Sequence, residues 1–196
     1  MNQVEGFARP ILKPMMRGHS VTLTTEEQTI LIAWIVLRGM IFEYSGGQPG
    51  ARRFYTQDER HTFANIDYEG SLEPLDGTYV WLFHHQSPRW VARSNVANLG
   101  LHVSQDPNHL QLITACVGQF GLQLLLGRWP IGRRLELRSP RVTDWHEATC
   151  AIWPYTGGSV SWPPRFYLGD DAYEPLCDRF IKGGFPLQQE ARSQRS

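Results

Sequence analysis

Four short stretches of this sequence hold side chains from which chemistry could be built. Asp144, His146 and Glu147 place a carboxylate, an imidazole and a second carboxylate within four residues. On a strand Asp144 and His146 share a face, so a hydrolase could use His146 as a base oriented by Asp144. The competing reading is a solvated loop between strands. His84 and His85 close the apolar run Gly77–Phe83. Strand alternation sends two adjacent rings to opposite faces, a poor arrangement for chelation, so turn residues are expected rather than metal ligands. His102, Asp106, Asn108 and His109 lie close together. A metal-dependent nuclease of the ββα type would also need a metal-binding histidine on a separate helix, and nothing downstream supplies one. A turn at Asp106-Pro107-Asn108 is expected instead. Cys177 falls on the apolar face of its own segment and reads as a small core residue.

The basic residues concentrate in one place, Arg128, Arg133, Arg134, Arg138 and Arg141, with Trp129 among them. Three readings are open for this set. Guanidinium groups beside an indole could grip phosphates and stack on bases. They could dock an acidic protein surface, since Arg and Trp are favoured at binding hot spots. They could also be the outward face of an ordinary strand. Lys and Arg together number 19, as do Asp and Glu, so the formal net charge is zero. A coat for nucleic acid or a membrane surface would show a basic excess, so a protein partner fits better than a DNA duplex. Nearly all the basic residues are Arg, Lys13 and Lys182 being the lysines. That bias reflects either planar recognition or a GC-rich genome. No G-x-x-x-x-G-K-S/T loop, G-x-G-x-x-G turn, G-x-S-x-G elbow or H-E-x-x-H helix occurs.

The elements that would position these groups can be read from periodicity. Thr24 and Glu27 form a capping box ahead of a helix from about Thr25 to Tyr44. Its apolar stripe is Ile30, Leu31, Trp34, Leu37, Ile41 and Tyr44, widened by Ile32, Ile35 and Val36, so most of it should be buried. Thr56 and Glu59 open a second, shorter helix through about Ala64. From Gly77 the texture turns to strands. "GTYVWLF" is apolar on both faces, as a central strand is, and "RWVARSNV" is expected beside it. "HLQLITACVGQFGLQLLLG" reads as two strands joined near Gly118 and Gly121. "RRLELRS" alternates as a half-exposed strand, and "ATCAIWP" is a further short one. "VSWPPRFYLGDD" must be extended, because its prolines lack backbone donors. Asp170 or Asp171 then caps a helix carrying Tyr173, Leu176, Cys177 and Phe180 on one face.

The expected fold class is α+β: a helical N-terminal third, a mostly antiparallel β-sheet and a closing C-terminal helix. With 196 residues, 41% of them hydrophobic, one domain over 1–187 is expected. Within it 1–70 is helical, 77–168 is β and 170–183 is the closing helix, with 188–196 a frayed tail. Cys116, Cys150 and Cys177 are odd in number and form no C-x-x-C pair, which points to a reducing cytoplasm and no structural zinc. The N-terminus lacks the plan of a signal peptide. The longest apolar run, Ile30–Leu37, is far short of the roughly 18–20 residues that span a bilayer, so no membrane partner is expected.

"ARPILKPMMRG" (8–18), followed by "VTLTTEEQTILIAWIVLRGMIFEY" (21–44), resembles a region of the HNH endonuclease group of bacterial and phage proteins. In that group the region follows a cysteine-rich, zinc-ribbon or HNH-like segment. "GTYVWL", the "IWP" ending at Pro154 and the "WPP" of Trp162–Pro164 are similar to its later segments, so the likeness covers nearly the whole chain. The resemblance implies that Met1 falls where the cysteine motif closes. The metal-bearing segment and its ligands then have no counterpart here, and no nuclease residue carries over. A late start and a protein that evolved without the nuclease module are both open.

These observations converge on an expectation: a non-catalytic macromolecule-binding protein of phage or mobile-element type. An inhibitor of a host nuclease or defence complex is one such protein. The alternative is a DNA-interacting accessory domain of an HNH-type endonuclease. Were the chain an enzyme, it would be a nuclease-related hydrolase. No metal and no cofactor are expected. The binding residues would be Arg128, Trp129, Arg133, Arg134, Arg138 and Arg141, with the oligomeric state left open.

Overall fold

In the computed structural model of the chain, Thr24 and Glu27 cap each other as their spacing predicts. The Thr24 N–H donates to the Glu27 carboxylate at 2.8 Å, and the Glu27 N–H donates to the Thr24 hydroxyl at 3.2 Å. The structure describes residues 3–46, 54–64, 77–87, 92–99, 110–127, 145, 147–154 and 157–178, with the side chains of 44–46, 62–64 and 92–99 excepted. The capping box opens α2 (Thr25–Gly46). Thr56 and Glu59 repeat the device, at 2.7 and 3.2 Å, to open α3 (Gln57–Ala64).

The buried face of α2 is not centred where the stripe predicts. Ile32, Ile35, Val36, Gly39 and Glu43, spaced at three and four, face inward. Gly39 comes so close to Leu124 and Ile113 that a Cβ there would meet them at 2.9 and 3.0 Å. Ile41, expected inside, is 42% exposed. The helix is apolar nearly all round, so pattern alone does not fix its rotation; close approach of the Gly39 backbone to the sheet does.

A helix that the sequence reading leaves unassigned precedes it, α1 (Gln3–Met16), with Pro10 and Pro14 inside. Val4, Ala8, Ile11, Leu12 and Met15 form its buried face. Pro10 is exposed and Pro14 half-buried, so carbonyls left without an amide partner can be met by water. The helix ends at Gly18, whose N–H donates to the Met15 carbonyl at 2.9 Å and whose φ is +78°. α1 packs on α2, where Arg38 pairs with Glu5 and lies 5.3 Å from the Trp34 ring centre.

Short β1 (Val21–Leu23) pairs antiparallel with β7 (Val160–Trp162) as a two-stranded ribbon. Buried Gln28 ties it to α2, donating to the carbonyls of Leu23 at 3.1 Å and Gly158 at 2.9 Å. The main sheet contains β2 (Thr78–His85), β3 (Ala92–Leu99), β4 (Leu110–Val117), β5 (Phe120–Gly127), β6 (Thr149–Trp153) and β8 (Tyr167–Leu168). Its order is β3-β4-β5-β2-β6, with β8 parallel to the end of β2 and the other pairings antiparallel. The predicted β4–β5 hairpin is present, and its turn docks on α1 through a Gln119 N–H bond to the Met16 carbonyl at 3.0 Å.

One expectation is overturned here. β2 and β3 are not neighbours, because β4 and β5 lie between them. The doubly apolar β2 takes Leu-rich β5 on one edge and β6 on the other, leaving the more polar sequence of β3 to the outside of the hairpin.

The two faces of the sheet have different covers. Val80, Leu82, Ile113, Leu122, Leu124 and Ile152 pack against α1 and α2. On the reverse, Phe83 and Cys116 meet Tyr173, Leu176 and Cys177 of α4 (Asp170–Asp178). Phe180 and the predicted continuation to residue 183 lie outside the described residues, as does the "RRLELRS" strand. The fold is α+β, with an N-terminal helical layer, a central sheet and a C-terminal helix. Among the described residues no helix is long and apolar enough to cross a membrane.

Glu43 performs a task that its sequence position does not announce. Its buried carboxylate accepts from the N–H of Phe54 and, at 3.5 Å, from that of Tyr55, with Arg60 Nη1 3.8 Å away. It thereby fastens the entry to α3 onto the end of α2. Glu43→Ala is expected to lower stability by about 2 kcal/mol, since two backbone donors lose a charged acceptor. Glu43→Gln should cost less. Urea unfolding midpoints of the two variants check the ranking.

Candidate functional site

The two histidines ending β2 do point to opposite faces, but they finish the strand rather than begin a turn. The reason is β8, which extends the pairing of β2 as far as His84 and His85. His84 Nε2–H donates to the Gln119 side-chain carbonyl at 2.7 Å. Its ring stands edge-on to Trp162, centroids 5.5 Å apart, and to Tyr167 at 6.3 Å.

His85 is 1% exposed, and its Nε2 lies 3.3 Å from Asp170 Oδ1. The other carboxylate oxygen accepts from the Ser87 hydroxyl at 2.8 Å. Serine, histidine and aspartate thus meet, but in an order that performs no acyl transfer. A nucleophilic relay needs the imidazole between hydroxyl and carboxylate, so that it can take the proton. Here the carboxylate is central. Asp170 joins the end of β2 to the first turn of α4, where a negative charge also suits the helix dipole.

The rest of α4 is held by buried polar bonds. The Tyr173 hydroxyl donates to the Thr114 carbonyl at 2.9 Å. Gln123 Nε2 donates to the Thr114 hydroxyl at 2.9 Å and to the Leu176 carbonyl at 3.0 Å. Burial, with the Cys177 and Cys116 thiols beside it, raises the Tyr173 phenol far above its ordinary value. Cys177 and Cys116 are buried, as expected for a core residue in the case of Cys177. The Cys150 thiol donates to the Leu82 carbonyl at 3.6 Å, and burial pushes it up to about 12. A thiol held that high is protonated at neutral pH and a poor nucleophile.

Of the other sequence candidates, Asp144, His146, His102, Asp106, Asn108 and His109 lie outside the described residues. So does the whole basic set, Arg128, Trp129, Arg133, Arg134, Arg138 and Arg141. The Trp145 carbonyl accepts from the N–H groups of Ala148 at 3.0 Å and Thr149 at 2.8 Å, at the entry to β6. Glu147 is exposed and pairs with Arg165 at 3.2 Å. Among the described residues no three His, Cys, Asp or Glu side chains are grouped to hold a metal ion.

The feature that sequence reasoning missed is a rim at β8. Phe166 is 48% exposed and Tyr167 61%. The Arg165 guanidinium lies 5.3 Å from the Phe166 ring centre, and the Phe166 N–H is fixed to the Glu147 carbonyl at 3.1 Å. Beneath them the backbone is pinned: Leu168 is buried, and its carbonyl accepts from the Gln86 N–H at 2.9 Å. The available signal was the placement of Arg165-Phe166-Tyr167 directly after Pro163-Pro164, in a stretch already read as extended. No protein family model, curated protein or solved structure matches the chain.

Proposed function

We propose that this chain is a non-catalytic binding protein whose partner is another protein. In this reading it serves a phage or mobile element by occupying a host nuclease or defence complex. The observation that carries the proposal is the rim of Arg165, Phe166 and Tyr167. Tyr167 opens β8 and is paired to β2, and Phe166 and Arg165 directly precede it, with the Phe166 N–H held by the Glu147 carbonyl. Aromatic and arginine side chains presented with little freedom left to lose are what binding hot spots are made of. Zero net charge agrees with a protein partner. The carboxylate-centred order of Ser87, Asp170 and His85, and the high Cys150 thiol, support the non-catalytic half of this reading.

The test is retention from a bacterial lysate on the immobilised chain, with and without nuclease treatment. The expected result is a protein retained in both conditions. Its affinity should fall roughly thirty-fold in Phe166→Ala with Tyr167→Ala, the loss that removing one hot spot produces. Salt-sensitive retention of duplex DNA that disappears with Arg133→Ala and Arg134→Ala would overturn it. The accessory domain of an HNH-type endonuclease would then be the better description.

A further inference from the structure

Among the described residues, cations line up on the outer side of α1. The buried side of that helix is Val4, Ala8, Ile11, Leu12 and Met15. At about 3.6 residues per turn Gly6, Arg9, Pro10 and Lys13 fall on the opposite side, and all four are exposed. Exposed Arg17 follows in the turn that ends the helix, its N–H donating to the Pro14 carbonyl at 3.1 Å. Arg9 to Arg17 spans roughly 12 Å at the helical rise. The one carboxylate of α1, Glu5, is engaged by Arg38 of α2. Arg9, Lys13 and Arg17 make no ion pair among the described residues. Phe7, 44% exposed, lies one turn ahead of Pro10, so apolar groups are set among the cations.

Unpaired cations on a helix anchored in the core attract an anion, and three kinds of surface present one. An amphipathic helix holds a lipid headgroup layer by sinking its apolar side into it, and that side of α1 is already buried against α2 and the sheet. A phosphate backbone would find three contacts on a chain of zero net charge, a weak and easily screened pull, and has nothing to set against Phe7 and Pro10. A protein segment that mixes carboxylates with apolar side chains answers both parts of the face. We infer that the outer side of α1, from Phe7 to Arg17, is a docking surface for an acidic segment of a partner protein. This rests on the protein-binding reading above and adds a second surface with the chemistry of its partner.

The experiment sets three labelled probes against the full chain: a Glu-rich decapeptide with two leucines, the same peptide with Lys for Glu, and an oligothymidylate. Fluorescence anisotropy should show the Glu peptide bound and the other two not. Binding should weaken about tenfold in Arg9→Gln with Lys13→Gln, several-fold in Phe7→Ala, and further as salt is added. Adding Glu174→Lys to the double variant returns the net charge to its original value, but places the new cation on α4, which covers the other face of the sheet. It should not restore binding. Circular dichroism of each variant checks that the fold is retained.

Glu-peptide binding that is insensitive to the α1 double variant, or restored by Glu174→Lys, would overturn the inference. If no peptide binds while the Phe166 and Tyr167 variants still lose their lysate protein, the acidic partner is wrong and the protein-binding reading survives. If the oligothymidylate is the probe that binds, and loses affinity in the α1 double variant, this face belongs to a nucleic acid and the inference is overturned.

Discussion

Alanine at Gly121 is expected to lower the stability of this protein by about 3 kcal/mol, at the upper end of ordinary overpacking. A Cβ at that position would stand 2.1 Å from Cε2 of Phe83 and 2.4 Å from two further atoms of the ring. Gly121 and Phe83 are register partners on adjacent central strands. The ring is buried among Cys116, Leu168, Tyr173 and Leu176, so it has nowhere to swing without displacing α4. Backbone separation would instead break the β2–β5 ladder. In a domain of this size the loss corresponds to a melting temperature lower by roughly 6–12 °C.

The decisive check is a double-mutant cycle. Phe83→Leu should cost stability in the parent chain and restore part of it in the Gly121→Ala chain, a strongly non-additive pair. Additive effects would show that the ring and the glycine do not meet.

Trp162→Ala should be costlier still, about 3–5 kcal/mol. The indole is among the largest fully buried side chains. It packs in the cluster between α1, α2 and the sheet, while its strand holds β1 through the Val21 pairing. Removing it leaves a void under a ribbon of three residues per strand, too short to persist without support. Against a typical total of roughly 5–15 kcal/mol, that is a large share of what keeps the chain folded. Trp162→Phe should recover much of the loss. Thermal and urea unfolding of the three proteins provide the comparison, and a Trp162→Ala protein as stable as its parent would remove the ribbon from the core.

The sequence disclosed the local devices and concealed the long-range ones. Thr24 with Glu27, and Thr56 with Glu59, are legible because both partners sit within one turn. The β4–β5 hairpin is legible because its strands are consecutive, and α4 because Tyr173, Leu176 and Cys177 repeat at helical spacing. Pro10 and Pro14 hid α1, since a proline read alone signals a break, and only burial of the opposite face reveals why two are tolerated. The place of β2 between β5 and β6 was hidden too. A strand apolar on both faces announces centrality without naming its neighbours. His84 and His85 looked like turn residues because β8, the strand that prolongs their pairing, arrives far later in the chain. The exposed rings of Phe166 and Tyr167 were illegible for a related reason. Aromatic residues are ordinarily buried, and which ones stay in water depends on what covers them.

The position of β2 also has a consequence for biosynthesis. A growing polypeptide emits Thr78–His85 well before Phe120–Gly127, and completes it only when Thr149–Trp153 and Tyr167–Leu168 follow. In that interval a hydrophobic ribbon has both hydrogen-bonding edges open, and then one. Slow non-local pairing of this kind leaves sticky intermediates on and just off the ribosome. The yield of folded protein should therefore respond to chaperone supply and growth temperature.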